Sequence, residues 1–597
     1  MNAVLGSELA PPPLQQVGRL LRTREAGSLA ELGVVGVLWV VALRSVDPSA
    51  MTDLGLVSVL PWTAAVAMAL LLFSFARALA RPTSPGWLLT AYPLALSTLA
   101  FSTPLLAYGM TPRYSWAWKH AGIVDYIDRT GTVDPHIGVL PIYHSWPGFF
   151  AGNAMLTDVA GLESSLDYAA AAELFLNLLA LGAVLAVLAA LTEDPRTRAV
   201  GGWLFVLGNW VGQGYFSPQG INVVWYLLVL AVLLRWFPGR SSLRAPPPAT
   251  PARRVGMCAV VLLLLVCIAS THQLTPVITV LMLTALVASR QTSLRTLPWF
   301  MAAVLAAWVL YVAEPYTRTA LAEALGEVGA VTTNLDSTLI GYGTASSGQV
   351  VVSLVTRVFT GVLCALAACG FLVSWRSRRA RPAIVLAAVP ALIVGFSAYG
   401  NEVVFRAYLF ALPGLVYFAA LLLWPPGTAA RRHRALVVGL TSVYLVLGFG
   451  VAQFGNDRQY HFTPEEVAAA EYVHDNAPPD TLLVEGSRNY PSQFRDYERF
   501  TYVPIAQEDP EDIRRILADP VGVMTRWMSD TDGYRASYLI ITRSQVAATT
   551  ARGEVPGNGL LAIVQALRSS PRFRVVFENR DATVFQLAGA PAGGPAP

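Results

Sequence analysis

Apolar residues in this chain are gathered into long runs that recur from about residue 28 to residue 454. A helix of about 17 to 25 apolar residues is long enough to cross the roughly 30 Å hydrocarbon core of a bilayer. The runs predict thirteen membrane-spanning helices, at about 28–46, 55–77, 86–108, 168–191, 199–213, 221–237, 255–270, 276–289, 297–313, 351–374, 383–398, 407–424 and 435–454. The predicted fold is a polytopic all-α membrane bundle over residues 28–454.

The connections between these runs alternate in charge. Arginines lie in the N-terminal 27 residues and on every second connection: Arg77/Arg81, Arg196/Arg198, Arg240/Arg244/Arg253/Arg254, Arg290/Arg295, Arg376/Arg378/Arg379/Arg381 and Arg431/Arg432/Arg434. The positive-inside rule assigns that side to the cytoplasm, so residues 1–27 are predicted to be a cytoplasmic lead-in. The opposite, extracytoplasmic side then holds the connections at 109–167, 213–221, 271–275, 314–350 and 398–406, together with the C-terminal segment. The chain is predicted to be a multi-pass protein of the plasma membrane.

Composition agrees with a membrane protein. Hydrophobic residues make up 54% of the 597 residues, charged residues only 13%, and the mean hydropathy is +0.50. About a quarter of the residues of an ordinary soluble protein are charged. The four cysteines lie in apolar runs without the spacing of a metal site or a disulfide framework. No internal repeat and no nucleic-acid-binding signature is present, so nucleic acid is not a predicted partner.

The last 140 or so residues return to a soluble composition. A helix start is predicted at Thr463, with Pro464 in the first helical position and Glu466 three residues after the cap. Strand-like runs at 481–486, 538–542, 573–577 and 582–587 alternate with helical stretches near 509–518 and 558–568. These elements predict a small α/β domain over 455–588 with a docking or acceptor-guiding role, followed by a disordered end at 589–597.

The segment from Tyr108 to Phe150 is the most polar part of the membrane region. It holds the chain's only lysine, Lys119, and residues with proton-transfer or hydrogen-bonding side chains surround it: His120, Asp125, Asp128, Asp134, His136, Tyr143 and His144. Read as a helix, residues 116–129 place His120 with Ile123, Val124 and Ile127 on one face. Trp118, Asp125 and Arg129 lie on the other face. The structural alternatives are an i,i+4 ion pair from Asp125 to Arg129 and a buried His120 that bonds a backbone carbonyl.

The other predicted outer turns carry polar groups as well. They are Gln219 in YFSPQG, His272 and Gln273 in HQLTP, and Glu402 and Arg406 in NEVVFR. Ionisable residues at the mouth of a membrane bundle are functional candidates, although Glu402 and Arg406 can also pair simply to hold two helix ends. The loop at 314–350 is long and rich in Gly, Ser and Thr, which favours a lid or binding element.

This collection of side chains suits sugar transfer from a lipid-linked donor. A hydroxyl that attacks the anomeric carbon needs a carboxylate to take its proton, which Asp125 or Asp134 can supply. The departing phosphate needs cationic or hydrogen-bonding groups, for which Lys119, His120 and Arg406 are candidates. Tyr143, Gln219, His272, Gln273 and Glu402 are the remaining predicted substrate-binding residues, and the apolar bundle offers a groove for a prenyl chain.

At these residues the chain resembles the GT-C-type integral-membrane glycosyltransferases, especially large bacterial members. The resemblance is carried by KHxGIVDYIxxTGxVDP and YHxWPGFF in the first long outer loop, by YFSPQG and HQLTP, and by NExxxRxYLFxLPG ahead of the soluble tail. It implies a polyprenyl-phosphate sugar as donor, inversion at the anomeric carbon, and a catalytic carboxylate in an early outer loop. Many relatives have an acidic residue about four positions before the loop histidine, where this chain has Trp116. Either Asp125, which is preferred, or Asp134 has taken the role, or the activity differs.

Several features stay open at this level. Neither the sugar nor the acceptor, which is a cell-envelope glycan, a glycolipid or a protein, is identified by the sequence. The acids are spread out, so no metal and no other cofactor is predicted. A transporter or flippase of a lipid-linked glycan is one alternative, disfavoured by the lack of a repeat and by polar groups that collect at one face. A non-catalytic cell-envelope assembly subunit is the other.

Overall fold

The computed structural model describes residues 24–242, 245–319, 344–395, 402–429, 431–529 and 533–589. The predicted lead-in at 1–27, the loop at 314–350, the turn at 398–406 and the disordered end at 589–597 lie wholly or partly outside these residues.

Seventeen helices form the bundle part of the described chain. They are α1 (Arg24–Arg44), α2 (Trp62–Ala80), α3 (Gly86–Tyr108), α4 (Ser115–Thr130), α5 (Pro141–Ser145), α6 (Gly148–Ala160), α7 (Leu166–Ala169), α8 (Ala172–Leu191), α9 (Pro195–Gly208), α10 (Pro218–Trp236), α11 (Pro251–Thr271), α12 (Leu274–Ala288), α13 (Leu297–Ala307), α14 (Ser347–Ser374), α15 (Arg381–Ala388), α16 (Val403–Leu423) and α17 (Arg432–Phe454). A π-helical turn extends α13 to Val312, and a 3₁₀ segment extends α15 to Gly395.

Within the described residues, nine helices are long and apolar enough to cross a membrane. They are α1, α2, α3, α8, α10, α11, α14, α16 and a last helix counted from Arg432 to Tyr460. The other four predicted spans coincide with the shorter helices α9, α12, α13 and α15. The prediction of a multi-pass all-α membrane bundle is therefore confirmed. Helix α9 is one of the shorter helices, and every residue in it from Ala199 to Gly208 is buried. Its surroundings are therefore other helices of the protein and not lipid.

Local sequence signals start several of these helices. Asp194 accepts hydrogen bonds from the backbone N–H groups of Arg196 and Thr197, both at 2.9 Å, and Pro195 takes the first turn of α9. The hydroxyl of Ser217 likewise accepts from Gly220 N–H at 3.0 Å ahead of Pro218 at the start of α10. A polar cap followed by proline satisfies a donor that the helix leaves free and sets the backbone angle for the first turn.

Connections that the charge pattern assigned to one side do lie at one end of the bundle. The Arg196 guanidinium donates to the carbonyls of Arg81 at 2.7 Å and Pro82 at 3.1 Å, which joins two Arg-bearing connections. The N–H of Gly427 donates to Asp194 at 3.1 Å and so brings in a third. Which side of the membrane this end faces stays a prediction.

The C-terminal part begins with α18 (Asp457–Tyr460) and α19 (Pro464–Asn476), and it continues with β1 (Thr481–Glu485), β2 (Phe500–Pro504), α20 (Pro510–Ala518), α21 (Pro520–Ser529), β3 (Ala536–Thr542), α22 (Arg543–Arg552), α23 (Gly559–Arg568), β4 (Phe573–Glu578) and β5 (Ala582–Leu587). Thr463 and Glu466 make the predicted capping box.

The strands of this part form one sheet in the order β2-β1-β3-β5-β4. β1 pairs in parallel with both β2 and β3, whereas β5 pairs antiparallel with β3 and β4. The predicted small α/β unit is confirmed. Its strand β2 and helices α21 and α22 were not predicted.

The loop between β1 and β2 packs against α4 and fixes the C-terminal part on the bundle. Gly122 of α4 is so close to this loop that an added Cβ would lie 1.8 Å from the carbonyl oxygen of Gln493. Trp118 packs edge-on against Phe462 and Phe494, with ring centres 6.4 and 5.6 Å away. Only glycine at position 122 permits this contact, so α4 is held between the bundle and the sheet.

Candidate active site

His120 is buried on the face of α4 that looks toward the turn before α10. Its Nδ1 lies 2.8 Å from the carbonyl oxygen of Phe216, and its ring stacks on Tyr215 at a centroid distance of 5.8 Å. Because a carbonyl can only accept, Nδ1 carries the proton and Nε2 is an acceptor. Burial lowers the pKa of His120 to about 4, so the imidazole is neutral near pH 7. Its buried Nε2 has no hydrogen-bond partner among the described residues.

Aromatic rings enclose this imidazole. Tyr143 of α5 meets it edge-on at 5.1 Å, Phe150 lies at 5.6 Å and Trp116 at 6.1 Å between ring centres. Tyr143, a predicted substrate-binding residue, is therefore brought next to His120. This arrangement offers flat apolar walls around a hydrogen-bond acceptor.

Arg406 and Gln219 join the first turns of α16 and α10. The guanidinium of Arg406 donates through Nη1 to the amide oxygen of Gln219 and through Nη2 to the carboxylate of Glu402. Arg406 is 8% exposed and Gln219 2% exposed, while the Glu402 side chain is 48% exposed. The amide Nε2 of Gln219 is buried without a hydrogen-bond partner in the described part of the chain. The buried guanidinium of Arg406 thus has a half-exposed carboxylate, that of Glu402, on one side.

His272 lies between α11 and α12 and completes this group. Its Nδ1 accepts from the N–H of Thr275 at 3.3 Å, so the neutral ring carries its proton on Nε2. Burial lowers its pKa well below the usual value, and the nearby Arg406 and His120 lower it further. We refer to His120, Gln219, His272 and Arg406 together as the polar cluster. Gln273, the residue before α12, is half-buried beside it.

Lys119 points away from the polar cluster although it adjoins His120 in the sequence. Its ammonium donates to the carbonyl of Arg488 at 3.2 Å and lies 4.7 Å from the ring centre of Trp116. Burial lowers the pKa of Lys119 to about 8 and raises that of the neighbouring Glu485, at the end of β1, to about 7. Lys119 therefore belongs to the contact with the C-terminal part.

Asp125 also faces the C-terminal part. Its carboxylate accepts from Arg129 Nε at 2.9 Å and from the N–H of Asp496 at 3.2 Å. Arg129 donates further to Glu498 at 2.9 Å. The i,i+4 ion pair that was the structural alternative is thus present.

Asp134 stabilises a turn and a histidine. Its carboxylate accepts from the N–H of His136 at 2.8 Å, and its own N–H donates to Nδ1 of His144 at 3.0 Å. The Nε2–H of His144 in turn donates to the hydroxyl of Tyr497. Among the contacts of the described residues, neither Asp134 nor Asp125 touches the polar cluster, and the role of either one as the base stays a prediction.

A buried charge network that the sequence reasoning missed stands beside these groups. Arg113 donates to both oxygens of Glu173, at 3.0 and 3.1 Å, and to Asp457 at 2.7 Å. The hydroxyl of Tyr108 donates to Asp457 at 2.7 Å, and the amide of Gln453 donates to Glu173 at 3.2 Å. The available signal was the presence of three ionisable residues at the ends of apolar runs. They lie 60 and 344 positions apart in the chain, so no local spacing links them.

In the described part of the chain no three His, Cys, Asp or Glu side chains are grouped as a metal site. The expectation of a metal-free site stays a prediction.

The fold and these groups define a multi-pass membrane protein with a polar cluster at one end of its helices. No family model and no curated protein matches the chain. Among solved structures it is similar to an oligosaccharyltransferase from Archaeoglobus fulgidus tethered to an acceptor peptide with an NVT sequon, at 12% identity over 79% of this chain and 72% of that one, with a TM-score of 0.49. It is also similar to ArnT from Cupriavidus metallidurans bound to undecaprenyl phosphate, at 14% identity over 85% and 99% of the two chains, with a TM-score of 0.45. The apo form of the same ArnT gives 15% identity, the same coverage and a TM-score of 0.47.

Proposed function

We propose that this chain is a GT-C-type membrane glycosyltransferase. It moves a hexosyl or pentosyl group from a polyprenyl-phosphate donor to a cell-envelope glycan, a glycolipid or a protein, with inversion at the anomeric carbon. The reaction takes place at the end of the bundle opposite the Arg-bearing connections, which is the extracytoplasmic end by the charge pattern.

The observation that carries the proposal is the arrangement around Arg406. Four outer segments that are far apart in the sequence contribute one buried cation, one amide and two neutral imidazoles to a single group. A buried guanidinium needs an anionic partner, and Glu402, whose carboxylate pairs with Arg406, is half-exposed. A lipid phosphate that approaches from the outer leaflet has the charge and geometry to complete this site.

The chemistry of the leaving group fits the same arrangement. The donor's phosphodiester carries one negative charge, and the polyprenyl phosphate that leaves carries up to two. Arg406 and the amide of Gln219 gain attraction as this charge develops, which is the differential stabilisation that speeds a reaction. Nε2–H of His272 is a further donor on the same side.

The test uses membranes that contain the chain and tritiated glucose, mannose or arabinose linked to undecaprenyl phosphate. We expect label from at least one donor to reach endogenous acceptors. Organic extraction and protease treatment then separate glycolipid, protein and polysaccharide products. Digestion of the product with anomer-specific glycosidases reports inversion. The absence of transfer from every donor, in membranes in which the folded protein is detected, contradicts the proposal.

A further inference from the structure

We propose that Glu402 is the proton acceptor of this reaction, in place of the two aspartates favoured by the sequence. The inference rests on the proposed function and deepens it, because it assigns the base to a carboxylate that is bonded directly to the polar cluster.

A general base must be reachable by the acceptor hydroxyl and close to the group that binds the donor phosphate. Three carboxylates of the neighbouring segments fail the first condition because they are buried. Glu173 and Asp457 are buried and bonded to Arg113. Glu485 is completely buried and accepts from Tyr490 at 2.8 Å.

The two predicted aspartates fail the second condition. Asp125 bonds Arg129 and the backbone of Asp496 on the face of α4 opposite His120. Asp134 closes its own turn with His136. Both carboxylates thus bind groups that lie outside the polar cluster.

Glu402 meets both conditions. It directly precedes α16, one helical turn before Arg406, and residues four apart lie on the same side of a helix. Its carboxylate accepts from Nη2 of Arg406, whose Nη1 reaches Gln219. With 48% of its side chain exposed, Glu402 is open to a hydroxyl that approaches beside the phosphate-binding cation.

His120 is the other acceptor near this place, but its position argues against the role. Nε2 of His120 is buried beneath Tyr143, Tyr215 and Phe150. A bulky glycan, lipid or protein acceptor has no path to that atom through these rings. His120 is better suited to shape the wall of the site.

The carboxylate of Glu402 takes the proton of the acceptor hydroxyl while the hydroxyl oxygen forms a bond to the anomeric carbon. The bond from that carbon to the phosphate oxygen breaks, and its electron pair leaves with the polyprenyl phosphate, held by Arg406. Protonated Glu402 then releases its proton to water.

The test compares Glu402→Gln with Glu402→Asp and with Asp53→Asn, which removes the carboxylate of an exposed pair with Arg458. Transfer is measured with the undecaprenyl-phosphate-linked sugar that wild type uses, and affinity is measured for undecaprenyl phosphate alone. We expect Glu402→Gln to lower kcat by about 10²- to 10⁴-fold with little change in KM for the donor or in affinity for undecaprenyl phosphate. We expect Glu402→Asp to regain part of the rate and Asp53→Asn to match wild type.

The pH profile separates a base from a residue that only positions Arg406. Wild-type kcat should fall at acid pH, and the residual rate of Glu402→Gln should lose this limb. A variant with raised KM, weakened lipid binding and an intact acid limb overturns the inference, as does a Glu402→Gln enzyme with the wild-type rate. Both results leave the transferase proposal standing, whereas an inactive wild type removes the transferase proposal itself.

Discussion

Arg113 and Arg406 are both buried arginines of the bundle, but their surroundings differ. Arg113 is 4% exposed and faces two buried carboxylates, Glu173 and Asp457. Arg406 is 8% exposed and shares a half-exposed Glu402 with a neutral amide from Gln219. Arg113 is thus enclosed by buried carboxylates, whereas the carboxylate partner of Arg406 is half-exposed to solvent.

We interpret this difference as one between a structural group and a proposed functional one. A buried ion pair that is fully bonded within the protein leaves no room for a ligand, and breaking it exposes an uncompensated charge. A buried cation with a partly open partner can exchange one interaction for a substrate anion. Strongly polar groups in an apolar bundle are thus best sorted by where their partners lie.

The substitution Arg113→Met tests the structural role of Arg113, and we expect it to have the largest effect on stability. The change leaves Glu173 and Asp457 buried without their cation, and we expect a loss of about 3–5 kcal/mol in the free energy of unfolding. Thermal unfolding in detergent measures it. Arg458→Met, which removes an exposed pair with Asp53, is the matched control and should cost at most about 1 kcal/mol. Equal stability of the two variants contradicts a structural role for Arg113.

Arg406→Gln tests the other arginine. We expect transfer to fall by about 10²- to 10³-fold, the usual cost of removing one charge-stabilising donor. Unfolding in detergent should change little, because Glu402 can turn to solvent. Arg77→Gln, from the partly exposed pair with Glu31, is the control and should keep the wild-type rate. A variant that unfolds as easily as Arg113→Met would place Arg406 in the structural class.

A further test uses the pH dependence of stability that is expected from the buried His144. Burial lowers the pKa of His144 to about 4, against 6.5 for the free side chain. The unfolded chain therefore takes up a proton that the folded chain refuses, and stability falls as the pH drops from about 6.5 to 4. We expect His144→Asn to make the unfolding midpoint less sensitive to pH across this range. The exposed His136→Asn serves as the control, and an unchanged slope in His144→Asn contradicts the assignment.

Asp125→Asn should have the smallest effect. Its pair with Arg129 is partly exposed, with side-chain exposures of 27% and 36%, and such pairs contribute about 0–1 kcal/mol. We expect stability and transfer to stay close to wild type. A hundredfold loss of transfer without unfolding would instead support Asp125 as the base and count against Glu402.

Most of the fold could be predicted from the sequence, because a helix that crosses the membrane needs an apolar run of a minimum length. The two faces of α4 were also predictable from helical periodicity: Ile123, Val124 and Ile127 pack together, and Arg129 lies with Asp125 on the other side. Which face borders the site was not predictable, since that depends on contacts from Phe216 and Asp496, far away in the chain.

The grouping of the polar cluster was predictable only in part, because it depends on tertiary packing. His120, Tyr143, Gln219, His272 and Arg406 come together through tertiary packing, whereas Lys119 turns toward Arg488. Lys119 was grouped with His120 because the two are neighbours in the sequence, yet adjacent residues on a helix point about 100° apart. The strand β2 was missed because it follows a loop rich in charges and aromatic residues with no alternating pattern.

The affinity of the purified protein for undecaprenyl phosphate, compared between wild type, Arg406→Gln and Arg77→Gln, tests the central claim most directly. Loss of a charge-assisted bond of about 1.5–3 kcal/mol predicts roughly ten- to a hundredfold weaker binding for Arg406→Gln. Arg77→Gln should bind as wild type does. Equal affinity of all three proteins would contradict the assignment of the polar cluster as the lipid-phosphate site.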